Sequence, residues 1–338
     1  MSKPLRILRT NITNPWFNLA TENWIFRDLD PETETLFLWR NSETVVIGAY
    51  QNPWVECKVD QMEADGVFLA RRQSGGGAVY QDLGNTNFTF LSTAEGYSTE
   101  NNYQILINAL SKLGITAEKS GRNDILVEGQ KISGSAFRRT TNRSFHHGTL
   151  LIGADLAKLS DYLNPNPLKL EAKGIKSVRA RVGNLSDFNT ELDHEAVCAA
   201  LMESFCEFHG ETVEPEWLDD EVLQNNSTLN TYYEEFADWD WRFGRTPEFN
   251  HKMEERFEWG LVTLHLQVKN AVIEDAKVFS DALDTDWLSL LQECLIKLRY
   301  SPESVRDHLS DQAQRNPEYR VELGEVAHWI VAQIREED

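Results

Sequence analysis

The sequence contains little cysteine and no long apolar run. Its four cysteines, Cys57, Cys198, Cys206 and Cys294, are scattered without CxxC spacing, a pattern typical of neither a disulfide framework nor a zinc site. No apolar run reaches the roughly 18 residues of a membrane span, and mean hydropathy is −0.46. The N-terminal segment also lacks the uninterrupted apolar region of a signal peptide. We therefore expect a soluble, cytoplasmic protein.

Basic charge is scarce. The chain has 33 basic and 54 acidic residues, a net charge of −21, which disfavours nucleic acid and anionic membranes as partners. Residues 71–181 differ from the rest, because they hold 15 basic and 9 acidic residues against 18 and 45 elsewhere. One basic segment within an acidic chain predicts a binding site for a small anion.

Hydrophobic residues make up 41% of the 338 residues, enough for a folded core, and the length predicts about two domains. Short β-rich segments fill 66–151, while a second alternating pattern begins near 260. We predict an α+β protein with a large domain over 1–245 and a small one over 253–338. Periodicity and capping residues predict one helix that begins at Asn14–Pro15 and further helices near 100–113, 193–209, 286–299 and 317–335. Two short strands are predicted at 35–40 and 44–48, joined by a polar turn.

Three consecutive glycines form the strongest local feature, in Arg71-Arg72-Gln73-Ser74-Gly75-Gly76-Gly77-Ala78-Val79-Tyr80. Glycine lets the backbone approach a ligand closely, and successive amides beside arginines can hold an anion. The spacing matches neither the Walker A loop nor GxGxxG. A glycine-rich hairpin with surface arginines is the alternative interpretation.

A lysine and two hydroxyls follow in Lys131-Ile132-Ser133-Gly134-Ser135. Regular alternation in a strand would place Lys131, Ser133 and Ser135 on one face, suited to anionic oxygens. An exposed strand lysine is the alternative. The pair His146-His147 lacks further metal ligands at a supporting spacing, which favours a histidine that lines a pocket over zinc. No cysteine lies in these segments and no GxSxG motif occurs.

Taken together, these segments resemble the lipoate–protein ligase A family. The resemblance covers residues 1–190, and the C-terminal region is similar to the accessory domain of the long bacterial form. Five blocks carry it in order, namely NPWFNLATEN, LFLWRNSETVVIG, ARRQSGGGAVYQDLGNTNFTF, SGRNDILVEGQKISGSAFR and FHHGTLL. The resemblance implies the mixed-sheet fold shared with biotin–protein ligases and related to class II aminoacyl-tRNA synthetases.

The resemblance also implies a two-step reaction. Lipoate attacks the α-phosphorus of ATP, giving lipoyl-adenylate and pyrophosphate, and a lysine of a carrier domain then attacks the acyl carbon. The implied acceptors are lipoyl domains of 2-oxoacid dehydrogenases and the glycine-cleavage H protein. We expect a monomer.

Residue roles follow from the resemblance. Lys131 would bridge the lipoate carboxylate and the α-phosphate. Lipoate would contact Trp39, Val46, Arg72, Gly76 and His147, and ATP would contact Arg72, Gly75, Gly76, Gly77, Ala78, Val79, Tyr80, Asp124, Lys173 and Arg181. Asn85 and Asp124 are candidate Mg²⁺ or amine-positioning residues. The basic loop Lys169–Arg181 would cover the adenylate.

Two positions depart from the family pattern. Ala49 stands where a basic residue is frequent, and the stretch between Asp124 and Lys131 is short.

Three other functions compete with the ligase. The first is an octanoyltransferase of the same fold, which needs a pocket cysteine. The second is a biotin ligase, but SGGGAV stands here in place of the glycine-arginine phosphate loop of biotin ligases. The third is a non-catalytic carrier-binding protein.

Overall fold

The computed structural model describes residues 4–28, 30, 32–164, 182–243 and 251–337. The chain divides into two compact units. The first comprises 1–48, 53–74 and 78–244, and the second comprises 245–338 together with the short stretches 49–52 and 75–77.

A mixed eight-stranded sheet is the framework of the first unit. Its strands run in the order β11-β1-β2-β6-β10-β9-β8-β7. β1 is parallel to β2 and β11, and the remaining neighbours are antiparallel. The strands of this unit are β1 Leu5–Thr10, β2 Glu34–Trp39, β3 Thr44–Ile47, β4 Phe68–Arg71, β5 Val79–Gln81, β6 Asn85–Thr93, β7 Glu118–Ser120, β8 Asp124–Val127, β9 Gln130–Arg139, β10 Arg143–Leu151 and β11 Glu216–Leu218.

A three-stranded sheet, β4-β3-β5, completes the β-structure described for this unit. The two strands predicted at 35–40 and 44–48 exist as β2 and β3, but they lie in different sheets. The two strands are therefore joined by the turn but do not pair with each other. β2 pairs with β1 and β6, whereas β3 pairs with β4 and β5, so the polar turn links two sheets.

Helices cover both faces of the large sheet. α4 and α6 pack on one face, and α1 and α8 on the other. The predicted cap is present, because Asn14 Oδ1 accepts from the amides of Trp16 and Phe17. Helical periodicity over 193–209 predicts that Phe208 faces inward, but it is exposed on α6. The helices of this unit are α1 Pro15–Asp28, α2 Pro53–Glu56, α3 Val59–Asp65, α4 Thr99–Lys112, α5 Lys158–Tyr162, α6 His194–His209, α7 Asp220–Asn225, α8 Ser227–Ala237 and α9 Trp239–Phe243.

The second unit has its own core. An antiparallel meander, β12 His251–Phe257, β13 Gly260–Lys269 and β14 Val272–Ser280, packs against α10 Asp286–Leu295, α11 Pro302–Arg315 and α12 Arg320–Glu337. Periodicity does not predict α11. The helix predicted at 286–299 ends four residues earlier, at Leu295, because Ile296 already adopts an extended conformation.

The predicted α+β class with a mixed sheet is confirmed. Among the described helices, none is long and apolar enough to span a bilayer.

Candidate functional site

One face of the large sheet gathers the candidate site residues. On β10, His147 is paired with Thr89 of β6 and with Ala136 of β9. Asn87, two residues from Thr89, is paired with Trp39 of β2. Because paired residues and alternate residues share a face, these side chains line one surface, which we call the site face. It is the face that α1 covers.

The neighbouring histidine faces the other way. His146 is fully buried between rings of Phe88, Tyr103 and Phe137, with centroid distances of 5.4, 5.0 and 4.7 Å. Burial holds its pKa well below the usual value. The two histidines therefore do not share a ligand, and no cluster of three potential metal ligands occurs among the described residues.

Lys131 lies at an irregularity in β9. Ile125 pairs with Ser133 and Leu126 with Lys131, so β9 carries one extra residue, Ile132, at this point. A bulge of this kind breaks the regular alternation of faces. Ile132 and Ser133 are both buried, and we correct the expectation that Lys131, Ser133 and Ser135 share one face.

The direction of each side chain is set by its neighbours. Ser135 is buried and shares a face with Phe137, two residues along β9, which packs against the core beneath α4. Lys131 instead extends over Gly134, on the site face, and its Nζ lies 2.6 Å from Asp124 Oδ1. The bulge thus separates the lysine from the two hydroxyls.

Asp124 and Lys131 form a partly exposed ion pair. The side chains of Asp124 and Lys131 retain 17% and 31% of their accessible surface, so the ion pair is open to solvent on one side. The carbonyl of Lys131 accepts a hydrogen bond from the amide of Gly183 at 3.0 Å, and Val182 bridges to Lys131. The chain that follows the predicted basic loop is therefore attached directly to the candidate catalytic strand.

Arg72 is deeply buried at the end of β4. Its Nη1 donates to the carbonyl of Val46 at 3.2 Å and its Nε to Ser74 Oγ at 3.1 Å. Burial lowers the arginine pKa to about 10, and the charge of Glu22 opposes that shift. Val46 itself packs in the apolar cluster that contains Trp39. Arg72 is thus fixed beneath the site face rather than displayed on the surface.

Sequence reasoning missed two buried residues of this site, Glu22 and Ser74. His147 Nε2 lies 2.7 Å from Ser74 Oγ, and its Nδ1 lies 2.8 Å from Glu22 Oε1. Thr89 Oγ1 also donates to Glu22 Oε1, at 2.7 Å. Glu22 sits inside the first helix, where an isolated acidic residue predicts a solvent-exposed position. Its burial emerges only from the packing of α1 on the sheet.

The glycine triplet has partners within the second unit. The amide of Gly76 donates to the carbonyl of Ala282 at 2.9 Å. A β-carbon at Gly75 would stand 2.0 Å from the same carbonyl oxygen, so only glycine fits there. In this conformation the Gly76 amide is not available to a phosphate, contrary to a preformed anion nest.

The residues after the triplet are in regular structure. Val79 and Tyr80 pair with Val46 and Val45 of β3, and Ala78 packs in the adjoining apolar cluster. The Tyr80 hydroxyl donates to Glu43 Oε1 at 3.3 Å. Pairing with β3 fixes the backbone of Val79 and Tyr80, and the expectation that the Gly75–Tyr80 backbone holds phosphates stays a prediction.

The candidate magnesium residues do not meet. Asn85 lies on β6 and Asp124 on β8, three strands apart in the sheet, which corresponds to about 14 Å at the usual strand spacing. Asn85 is fully buried and donates to Asn87 Oδ1 at 3.1 Å. Since Mg²⁺ ligands sit about 2.1 Å from the ion, these two residues do not fit one shared Mg²⁺ site, and a role for either residue alone stays a prediction.

Two further candidates, Lys173 and Arg181, lie outside the described residues, as does the basic loop from Lys169 to Arg181.

None of the four cysteines resembles a nucleophile. Burial raises the thiol pKa of Cys57, Cys198 and Cys294 to about 12, which suppresses the reactive thiolate. Cys198 and Cys206 lie on α6, behind the sheet. The octanoyltransferase alternative, which requires a thioester, therefore has no support in the site.

Two family descriptions match the chain. Residues 14–206 match the lipoyl protein ligase A/B catalytic domain, and residues 246–330 match the bacterial lipoate protein ligase C-terminus. The chain is 56% identical to the lipoate–protein ligase A of Psychrobacter cryohalolentis over 335 residues, which is 98% of this chain and 99% of the relative.

Solved structures give the same picture. P. falciparum LipL1 in complex with lipoate is 35% identical with a TM-score of 0.86, covering 97% of this chain and 99% of that one. A bipartite lipoate protein ligase from Thermoplasma acidophilum, described with its E2 lipoyl domain, is 27% identical with a TM-score of 0.63 over 73% and 98% of the two chains. A lipoate–protein ligase A bound with ATP is 25% identical with a TM-score of 0.61 over 72% and 99%.

Proposed function

Because the chain belongs to the lipoate–protein ligase A family, we propose how its own residues carry out the ATP-dependent ligation of lipoate. In the first step a lipoate carboxylate oxygen attacks the α-phosphorus of ATP, and the bond to the β-phosphate oxygen breaks to release pyrophosphate. In the second step the ε-amine of an acceptor lysine attacks the acyl carbon of lipoyl-adenylate. An amide forms and AMP leaves.

Lys131 is the catalytic residue of this proposal. Its ammonium would contact the lipoate carboxylate and the α-phosphate together, and would stabilise the negative charge that builds on the phosphorus oxygens. The ion pair of Lys131 with Asp124 supports this role. Asp124 holds the ammonium in an orientation on the site face while 31% of the lysine side chain stays accessible, so a substrate anion can replace or join the carboxylate.

The apolar part of lipoate would occupy the slot lined by Trp39, Val46 and His147, all buried on the site face or in the cluster beside it. Arg72 would close the polar end of the slot. Gly75, Gly76 and Gly77 would contact the phosphates once the Gly76 amide is released from Ala282. Lys173 and Arg181, from the basic loop, would also contact ATP. Mg²⁺ would enter the site bound to ATP, as MgATP.

The acceptors in this proposal are lipoyl domains of 2-oxoacid dehydrogenase complexes and the glycine-cleavage H protein. Support for a lipoyl-domain acceptor comes from the T. acidophilum ligase, which is described with its E2 lipoyl domain. We also propose that 1–245 form the catalytic domain and 253–338 an accessory domain, and that the reaction takes place in the cytoplasm.

The observation that carries the proposal is the placement of Lys131, Asp124, His147 and Trp39 on one sheet face. Pyrophosphate release from purified protein and MgATP tests it. We expect release that depends on added lipoate, with lipoyl-adenylate accumulating when no acceptor is present. Biotin in place of lipoate should give no release. Release that does not respond to lipoate would contradict the proposal, as would lipoate-dependent acceptor modification without pyrophosphate.

A further inference from the structure

A chain of buried polar groups runs under the site face from Arg72 to Glu22. The links are Arg72 Nε to Ser74 Oγ at 3.1 Å, Ser74 Oγ to His147 Nε2 at 2.7 Å, and His147 Nδ1 to Glu22 Oε1 at 2.8 Å. All four residues are at most 7% exposed. Polar groups so deeply buried are costly unless each is paired.

The end groups constrain the direction of this chain. Arg72 can only donate, so Ser74 Oγ accepts from it. When the imidazole of His147 is protonated on Nδ1 alone, Ser74 uses its single proton to donate to His147 Nε2. With Nε2 accepting, the neutral imidazole carries its proton on Nδ1 and donates it to the Glu22 carboxylate. Each of the three links then joins one donor to one acceptor, and the Arg72 guanidinium at one end is balanced by the Glu22 carboxylate at the other.

We propose that Glu22 is a positioning residue for ligation, which acts through His147 and Ser74 to hold Arg72 and the imidazole in the lipoate slot. The inference rests on the proposed function for its consequence, because His147 and Arg72 are the groups assigned there to lipoate. Its structural basis, the hydrogen-bonded chain itself, stands independently of that assignment.

The same three residue types, serine, histidine and glutamate, form the nucleophilic triads of hydrolases. Two observations argue for positioning here instead. Ser74 has no accessible surface, so a substrate carbonyl cannot reach its Oγ. That oxygen also accepts from the Arg72 guanidinium, which opposes its activation as a nucleophile.

Glu22→Gln removes the charge at the end of the chain while preserving the side-chain shape. Ser74→Ala removes the middle link and tests the same proposal if Glu22→Gln does not fold. Because slot contacts bind the ground state and transition state alike, their loss raises KM with little effect on kcat. We expect each variant to raise the KM for lipoate at least tenfold in pyrophosphate release, with kcat within about threefold of the wild type. The KM for lipoate of the double variant should be no more than about twice that of the more affected single variant.

A buried threonine–histidine contact on the opposite sheet face provides a matched control. Thr86 Oγ1 lies 2.7 Å from His194 Nδ1, and both residues are buried. Thr86→Val removes a comparable hydroxyl partner of a histidine away from the site. We expect it to lower the melting temperature while leaving the KM for lipoate within twofold of the wild type.

Nitrogen-15 NMR of histidine-labelled full-length protein measures the protonation of the hydrogen-bonded His147 ring directly, without any reaction. We expect the His147 ring to carry its proton on Nδ1 in the wild type and to lose this preference in Glu22→Gln. A proton on Nε2 in the wild type would overturn the inference, as would an unchanged KM for lipoate in both single variants or a multiplicative effect in the double variant. Failure of lipoate-dependent pyrophosphate release in the wild type would refute the proposed function instead, and the NMR result would still decide the positioning chain.

Discussion

The ammonium of Lys131 stands over the α-carbon of Gly134, 2.9 Å from the place that a β-carbon would occupy. The side chain can extend along β9 only because residue 134 has none. The bulge at Ile132 turns Lys131 to the site face, and Gly134 leaves the space in which its Nζ meets Asp124. Gly134, predicted only as part of a strand, therefore leaves the space that the proposed catalytic lysine occupies.

Gly134→Ala should reduce ligation without unfolding the protein. The new methyl group displaces the flexible end of Lys131 rather than backbone, so the melting temperature should stay within a few degrees. A displacement of about 1 Å can reduce a rate roughly 100-fold, and we expect adenylate formation to fall at least tenfold. Gly153→Ala is the control, since its β-carbon would meet nothing closer than Ser186 Oγ at 3.9 Å. Retention of half the wild-type rate by Gly134→Ala would refute this role.

Replacing all four cysteines with alanine should leave ligation active. Cys57 and Cys198 are buried, so the variant should lose some stability, but no step of the proposed reaction uses a thiol. We expect a lipoate-transfer rate within about threefold of the wild type, measured on an acceptor domain at a temperature where the variant is folded. If any single cysteine substitution abolished transfer in a cooperatively folding protein, the thioester mechanism would replace the ligase mechanism.

His194 should make the protein sensitive to acid. Its pKa falls from 6.5 to about 4 in the folded state, mainly through burial and then through the charge of Arg40. Because the unfolded chain binds this proton more readily, the contribution of His194 to stability is complete above pH 6.5 and is lost as the pH falls towards 4. We expect a loss of about 2–3 kcal/mol between pH 7.5 and 4.5. Urea unfolding of the wild type and His194→Gln at both pH values measures it. Equal pH dependence in the two proteins would contradict the assignment.

Much of the framework is predictable because local patterns determine it. Asn14 followed by Pro15 specifies the start of α1, and alternation identifies β13 and β14. Helix α11 is not predicted from the sequence because its buried positions, Val305, Leu309 and Ala313, form only a narrow apolar stripe in a polar segment. β2 and β3 were recognised as strands, but pairing partners distant in sequence decided their sheets.

The candidate site shows the same division. The strands that carry Lys131 and His147 follow from β-propensity, whereas an inserted residue such as Ile132 leaves no trace in an alternating pattern and reverses the face of Ser133 and Ser135. Glu22 could not be foreseen, because its burial depends on contacts with His147 and Thr89, which are far away in the chain.

Lipoyl-adenylate formation by Lys131→Met tests the central claim most directly. The variant keeps the length of the side chain but removes the charge that is proposed to stabilise the reacting phosphate, an effect of about 10²–10³ in rate. Single-turnover conversion of lipoate and MgATP, without acceptor, should therefore fall at least 100-fold, while the protein melts cooperatively as the wild type does. A folded Lys131→Met protein that formed lipoyl-adenylate at more than a tenth of the wild-type rate would contradict the account.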